Sequence, residues 1–227
     1  MAALYADDTK IYRSIKSIGD CIKLQTTIDN FDEWSQRNNI QFNASKCKVL
    51  TVTRTKNPIV YNYHLNQVQL ERVNSEKDIG VVVSSTLSWD LHAQNIVKKA
   101  NRILGLLKRT CPLLTDVSVR RSLYLAHVKS QLSYATQVWS PSMISLKSEI
   151  ENVQRRATRW ILRTRVGEMS YKDRLLTLNL LPLSFDRELK DLVFFYKCFN
   201  NLTDLNVRNF ISFVCHGRTR LSSSYSL

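Results

Sequence analysis

Two adjacent aspartates, Asp7 and Asp8, lie within a largely apolar run that reads LYADDTKIY. Carboxylate oxygens are the ligands that Mg²⁺ prefers, and a pair of metal ions stabilises both the attacking and the leaving oxygen of an in-line phosphoryl displacement. The same residues also suit a plain surface turn, because Asp tolerates turn conformations. The pair is therefore either a turn without further role or part of a metal site.

A short hairpin is the element that would hold these aspartates. Residues 4–6 and 9–12 read as two strands with the aspartates at the bend. A helix follows, because Ser17 and Asp20 form a capping-box pattern ahead of an apolar stripe. That stripe consists of Cys21, Leu24, Ile28 and Phe31. Further strands are predicted in IQFNASKCKVLTVTR, IVYNYHLNQVQLERV and DIGVVVSST.

The pattern becomes helical near Trp89 and no convincing strand follows. Four apolar stripes carry this prediction: Ala93, Val97, Ala100, Leu104 and Leu107; Leu125, Val128, Leu132, Ala135 and Trp139; Ile150, Val153, Ala157, Trp160 and Ile161; and Phe185, Leu189, Leu192, Tyr196 and Phe199. A capping box at Ser170 and Asp173 opens a further short helix that stops at Pro182. The expected fold class is α+β, with a boundary near residue 88.

The charge balance favours an anionic partner. Lys and Arg number 33 against 19 for Asp and Glu, giving a formal charge of +14 in 227 residues. This excess suits a phosphate backbone, although a basic protein with solvated charges is also compatible with it. Five scattered cysteines indicate neither a disulfide framework nor a zinc site. No apolar run is long enough for a membrane span, and no signal peptide follows Met1, so neither a membrane partner nor secretion is expected.

Basic residues lie opposite the apolar stripes of two predicted helices. At 100° per residue, Lys98, Arg102 and Arg109 share a narrow arc, and Arg155 and Arg159 do the same on a later helix. Lys99, Lys108 and Arg156 extend these clusters. A solvated face explains one such helix well. Several such faces with few acidic partners four residues away favour a surface that contacts phosphates.

The order of several segments resembles one known family. LYADDTKIY resembles the Tyr/Phe-Ala-Asp-Asp box of reverse transcriptases from non-LTR (LINE-like, jockey-type) retrotransposons. Later segments are similar to that family in the same order, over practically the whole chain: FDEWSQRNNIQFNASKCKVLTVTR, DIGVVVSSTLSWDLHAQNIVKKANRILGLLKR, LYLAHVKSQLSYATQVWSP, IENVQRRATRWI and YKDRLLTLNLLPLSFDRELKDLVFFYKCFNN. The resemblance implies a partial palm over residues 1–88, thumb-like helices over 89–140 and a helical, truncated C-terminal extension over 141–227.

The resemblance also implies roles for individual residues. Asp7 and Asp8 would bind Mg²⁺ on the palm hairpin, with Tyr5 beside the primer end. Lys46 matches an Asn-x-x-Lys box whose lysine neutralises or protonates the leaving pyrophosphate; a plain surface lysine explains it equally well. The implied partners are an RNA template and an RNA–DNA duplex, with no small-molecule cofactor, and the implied location is the nucleus.

The upstream palm carboxylate and the fingers are not found in this sequence. A fragment that lacks them is expected to be inactive alone as an RNA-directed DNA polymerase, unless a missing polymerase portion supplies the rest. Two other interpretations stay open: a sequence-tolerant RNA- or DNA-binding remnant without catalysis, and a decaying copy of a mobile element without a selected function.

Overall fold

The structure is a computed structural model, and it describes residues 2–6 and 8–205. It is mixed, with 53% helix and 13% strand, which confirms the expected combination of helices and strands. The described residues form two compact units, one up to His92 and the other from Ala93 onward. The interpretation of these parts as palm, thumb and extension stays a prediction.

The elements follow one another with short connections. The strands are β1 (Ala2–Tyr5), β2 (Asp8–Ile11), β3 (Lys48–Leu50), β4 (His64–Leu65), β5 (Val68–Gln69), β6 (Glu71–Val73), β7 (Ser75–Asp78) and β8 (Val81–Ser84). The helices are α1 (Ile18–Arg37), α2 (Asp90–Thr110), α3 (Val117–Leu123), α4 (Ser130–Ser133), α5 (Thr136–Trp139), α6 (Ile144–Leu162), α7 (Tyr171–Thr177) and α8 (Leu183–Phe199).

The N-terminal hairpin forms, but its turn is shifted from the predicted position. β1 pairs antiparallel with β2, with Tyr5 opposite Asp8 and Leu4 opposite Thr9. Asp8 therefore begins a strand and does not lie at the bend. Ala6 adopts the left-handed conformation, with φ 51°, that tight hairpin turns require. Asp7 lies outside the described residues.

The strands of the first unit pair two by two. β4 with β5 and β7 with β8 are antiparallel hairpins, and β3 pairs in parallel with β6. Each described strand thus has a single neighbour. An ion pair between Lys10 and Asp78 joins β2 to β7.

Helix α1 begins where the capping box predicts. The Ser17 side chain accepts a hydrogen bond from the Asp20 N–H, and the Asp20 carboxylate accepts one from the Ser17 N–H. Cys21 is buried, whereas Leu24, Ile28 and Phe31 are half-buried. These three side chains line a cavity of about 650 Å³ on the other side of which the β3 segment lies. The core of this unit is therefore loosely packed.

The second unit has a denser core. Three of the predicted stripes supply it, and its fully buried members include Ala100, Val128, Leu132, Trp139, Ile150, Val153, Ala157 and Ile161. The segment from residue 117 to 139 is not one helix, however. A π-helical turn occupies Tyr124–Lys129, and the chain breaks at Ala135, which has a left-handed φ of 49°. α7 ends at Thr177, five residues before Pro182.

The last predicted stripe faces away from the core. α8 forms, but Phe185, Leu189, Leu192, Tyr196 and Phe199 are all exposed. The side chains that α8 buries are instead Leu183, Arg187 and Cys198, together on the opposite face. Periodicity thus predicts this helix correctly but not the side that packs. None of the described helices combines the length and the hydropathy that crossing a membrane requires.

Candidate nucleic-acid interface

Helix α2 presents a row of cations to solvent. Ala93, Ala100, Leu104 and Leu107 are buried along one side, which fixes the rotation of the helix. Lys98, Lys99, Arg102, Lys108 and Arg109 are exposed as a result. Lys98 and Arg109 lie about 16 Å apart along the axis at 1.5 Å per residue. The row is long enough to follow several successive phosphates.

Helix α6 is rotated in the same manner by its own core side chains. Val153, Ala157 and Ile161 are fully buried. Arg155 and Arg156 are consequently exposed, and Arg159 is half-buried. The helix ends at Arg163, a C-cap in the left-handed conformation.

The structure brings the two predicted basic clusters together on one side of α2. Arg156 Nη2 donates a hydrogen bond of 2.8 Å to Asn101 Oδ1. Partial burial, followed by the charges of Arg156 and Arg159, lowers the pKa of Lys108. Three cations from two helices therefore share one region of the surface. Asn101, which the sequence reasoning did not single out, is the neutral side chain that holds Arg156 there.

Arg155 has a different environment, created by α7. Its guanidinium lies 4.4 Å from the centre of the Tyr171 ring, and the Arg174 guanidinium lies 5.6 Å from the same ring. The Tyr171 hydroxyl donates to Glu151 and accepts from Gln154. Burial and the hydrogen bond to Glu151 raise the pKa of Tyr171, so the ring stays a neutral, electron-rich surface for the two arginines.

Two buried arginines were missed by the sequence reasoning. Arg120 donates to the Trp160 carbonyl at 2.6 Å, and Arg174 donates to the Met169 carbonyl at 2.6 Å and to Thr158 Oγ1 at 3.2 Å. Burial lowers the pKa of both, as do neighbouring arginines. Only their position in the fold distinguishes them from surface cations, because their sequence neighbours resemble those of exposed arginines.

The predicted cations of α2 and α6 lack acidic partners. Within the described ranges, ion pairs of the second unit involve only Lys129 and Lys190, both with Asp186. The predicted contacts that form no ion pair with a described residue are Lys98, Lys99, Arg102, Lys108, Arg109, Arg155, Arg156 and Arg159. Crowded cations without carboxylates favour association with an external anion.

The predicted catalytic residues are not gathered into a site by the described part of the structure. Asp8 is exposed at the start of β2, and Tyr5 is 64% exposed opposite it. Lys46 is exposed at the end of a 3₁₀ turn that Asn43 caps. No three His, Cys, Asp or Glu side chains among the described residues are arranged to hold a metal ion. The described donors therefore do not fit a two-metal centre, and Asp7 cannot be assessed.

The class of protein that the chain resembles is established by comparison with curated sequences. The chain is 26% identical over 183 residues to the RNA-directed DNA polymerase from the mobile element jockey of Drosophila melanogaster. It is equally similar, over 186 residues, to the corresponding Drosophila funebris protein. A third relative is the probable RNA-directed DNA polymerase from the transposon X-element of Drosophila melanogaster, 26% identical over 169 residues.

These matches confirm the resemblance to jockey-type retrotransposon polymerases. They cover 76%, 76% and 71% of this chain. The chain spans only about one fifth of the length of these relatives, at 18–20% of each. No family model matches the sequence, and no solved structure matches it.

Proposed function

We propose that this chain is part of an RNA-directed DNA polymerase of the jockey type and that its helical unit binds the RNA template or the RNA–DNA duplex. The observation that carries the proposal is the set of eight cations on α2 and α6 without an ion-pair partner among the described residues. Similarity to the polymerases of mobile elements supports a nucleic acid as the anion.

The cations predict how such a complex behaves. Lys and Arg side chains neutralise phosphates whatever the base sequence, so binding is expected to be sequence-tolerant. Because binding releases counterions, the affinity should fall steeply with salt, with a slope of roughly 0.9 in log–log form for each phosphate neutralised.

The test is a binding titration of the full chain with an RNA–DNA hybrid across a salt series. The variant Lys98→Glu, Arg102→Glu, Arg109→Glu reverses three outward charges of α2. Its salt slope is expected to decrease by roughly 0.9 for each lost contact. Circular dichroism checks that α2 is intact.

A matched control reverses three exposed lysines of the first unit, Lys23→Glu, Lys56→Glu and Lys77→Glu, which form no ion pair in the described structure. The control carries the same net charge as the test variant. If both variants lose affinity and slope equally, the effect reflects total charge and the α2 interface is wrong. If neither loses affinity, the α2 face is only solvated.

Catalysis is proposed as the role of the longer polymerase and not of this chain alone. By the resemblance, Asp7 and Asp8 would contribute Mg²⁺ ligands and Lys46 would act on the leaving pyrophosphate. Two adjacent carboxylates do not complete the near-octahedral coordination that Mg²⁺ demands. Primer extension on an RNA template should therefore not exceed the background of Asp7→Ala. Extension above that background would contradict this part of the proposal.

A further inference from the structure

The exposed face of α8 repeats with the spacing of a helix-packing seam. Phe185, Leu189, Leu192, Tyr196 and Phe199 follow one another at steps of four, three, four and three residues. This spacing keeps a side-chain row directed at a partner helix along several turns. Phe185 is 57% exposed, Leu192 is 67% exposed and Tyr196 is 63% exposed. We call this row the α8 seam.

The α8 seam is not the side by which α8 joins its own unit. Leu183, Arg187 and Cys198 are buried on the opposite face, and α8 contacts α5 and α6. Val193 and Phe195 flank the seam on its two edges and are exposed as well. A continuous apolar surface more than three turns long thus faces water.

The size of this surface approaches that of a specific interface. A Phe or Tyr side chain has roughly 200 Å² of surface, so Phe185, Phe195, Tyr196 and Phe199 together expose about 400 Å² at their observed accessibilities. Leu189, Leu192 and Val193 add to that area. A standard protein–protein interface buries about 800 Å² on each partner, and monomers rarely expose apolar patches beyond about 600 Å².

The order of residue types in the seam is nearly a palindrome, Phe-Leu-Leu-Tyr-Phe. If two copies of α8 pack antiparallel around Leu192, Phe185 of one copy lies opposite Phe199 of the other. Leu189 then lies opposite Tyr196, and Leu192 meets its own copy. A surface that is complementary to itself in this way is what a two-fold symmetric dimer requires.

From the spacing, the area and this self-complementarity, we propose that the chain forms a homodimer through antiparallel packing of two α8 helices, with Leu192 at the two-fold axis. The proposal is independent of nucleic-acid binding, because the α8 seam contains none of the α2 and α6 cations.

Sedimentation velocity of the full chain over a wide concentration range tests the dimer. Nuclease treatment and high salt exclude association through bound nucleic acid. Leu192→Glu places two like charges at the axis, which is expected to weaken dimerisation by roughly a hundredfold. Leu176→Glu is the matched control, because Leu176 is an equally exposed leucine on α7 that lies outside the seam; this variant should dimerise normally.

Cysteine cross-linking tests the orientation, with the unmodified chain as the baseline. Leu192→Cys should give a covalent dimer under mild oxidation, since a disulfide needs Cβ atoms about 4 Å apart. Phe185→Cys should not, because in the antiparallel pair the two positions are about 21 Å apart along the axis. A chain that stays monomeric at every concentration, a dimer that Leu192→Glu leaves intact, or a Phe185→Cys dimer of equal yield would each overturn the proposal.

Discussion

Gln154 is a fully buried amide that ties three elements of the helical unit together. Its Oε1 accepts from the Tyr124 hydroxyl at 2.6 Å, and its Nε2 donates to the Leu181 carbonyl at 2.9 Å and to the Tyr171 hydroxyl at 3.1 Å. Such a network stabilises a fold only while every member has a partner. The side chain therefore connects the core of the unit with the ring that holds Arg155.

The change Gln154→Ala should lower the free energy of unfolding by about 1–3 kcal/mol, because it leaves buried polar groups without partners. Urea unfolding of the full chain measures this effect. Asn152→Ala is the control, since Asn152 is exposed on the same helix; it should cost less than about 0.5 kcal/mol. Equal losses in both variants would show that the network does not stabilise the unit.

His92 makes the stability of the first unit depend on pH. The side chain is buried, and its Nδ1 accepts a hydrogen bond of 3.1 Å from the Val82 N–H. Burial lowers the pKa of His92. Below the unfolded pKa of about 6.5, the unfolded chain therefore takes up the proton more readily than the folded chain.

The contribution of His92 should be fully present above about pH 6.5 and should decrease as the pH falls towards the lower folded-state pKa. Unfolding of the wild type and of His92→Asn, compared at several pH values, isolates it. Asn can accept the Val82 hydrogen bond but does not titrate, so the loss of stability on acidification should be smaller in His92→Asn. The exposed His64→Asn should keep the wild-type pH response, and parallel curves for His92→Asn and wild type would contradict the role of His92.

At the scale of the elements, Ala135 marks a strained joint between α4 and α5. Its left-handed conformation, with φ 49° and ψ 32°, places Cβ close to the backbone. Ala135→Gly should therefore raise the free energy of unfolding by about 0.5–1 kcal/mol, the relief of strain less the greater freedom of glycine in the unfolded chain. Ala126→Gly, in the preceding helical turn, should lower it by a similar amount. A loss of stability in both variants would show that Ala135 is not strained.

Local signals in the sequence predict some of these elements well and others poorly. The Ser17–Asp20 capping box and the α2 stripe were predicted because they depend on residues three or four positions apart. The joint at Ala135 was not, since neither Gly nor Pro marks it. The outward face of α8 was not predicted either, because periodicity identifies a helix but not the neighbour that covers it.

The candidate site shows the same division. Helical geometry alone predicts that Lys98, Arg102 and Arg109 point away from the core of α2. The contact of Arg156 with Asn101 joins residues 55 positions apart. That of Arg155 with Tyr171 also joins two different helices. Such contacts depend on how helices pack, which one sequence does not specify.

For the molecule as a whole, the two units differ in how their backbones are protected from solvent. The helices of the second unit satisfy their peptide groups internally around a dense core. In the first unit, each described strand has one neighbour, so one edge of every strand lacks a sheet partner. The cavity beside α1 leaves that unit with fewer packed side chains beneath its short sheets.

This difference has a consequence for amide hydrogen exchange. An N–H group exchanges when its hydrogen bond opens, and bonds in small, exposed ladders open at low free energy. Amides of β3 to β8 should exchange with deuterium much faster than those of α6, by mass spectrometry on the intact chain. Amides of the first unit that slow markedly when further polypeptide is added would identify the chain segment that completes its sheets.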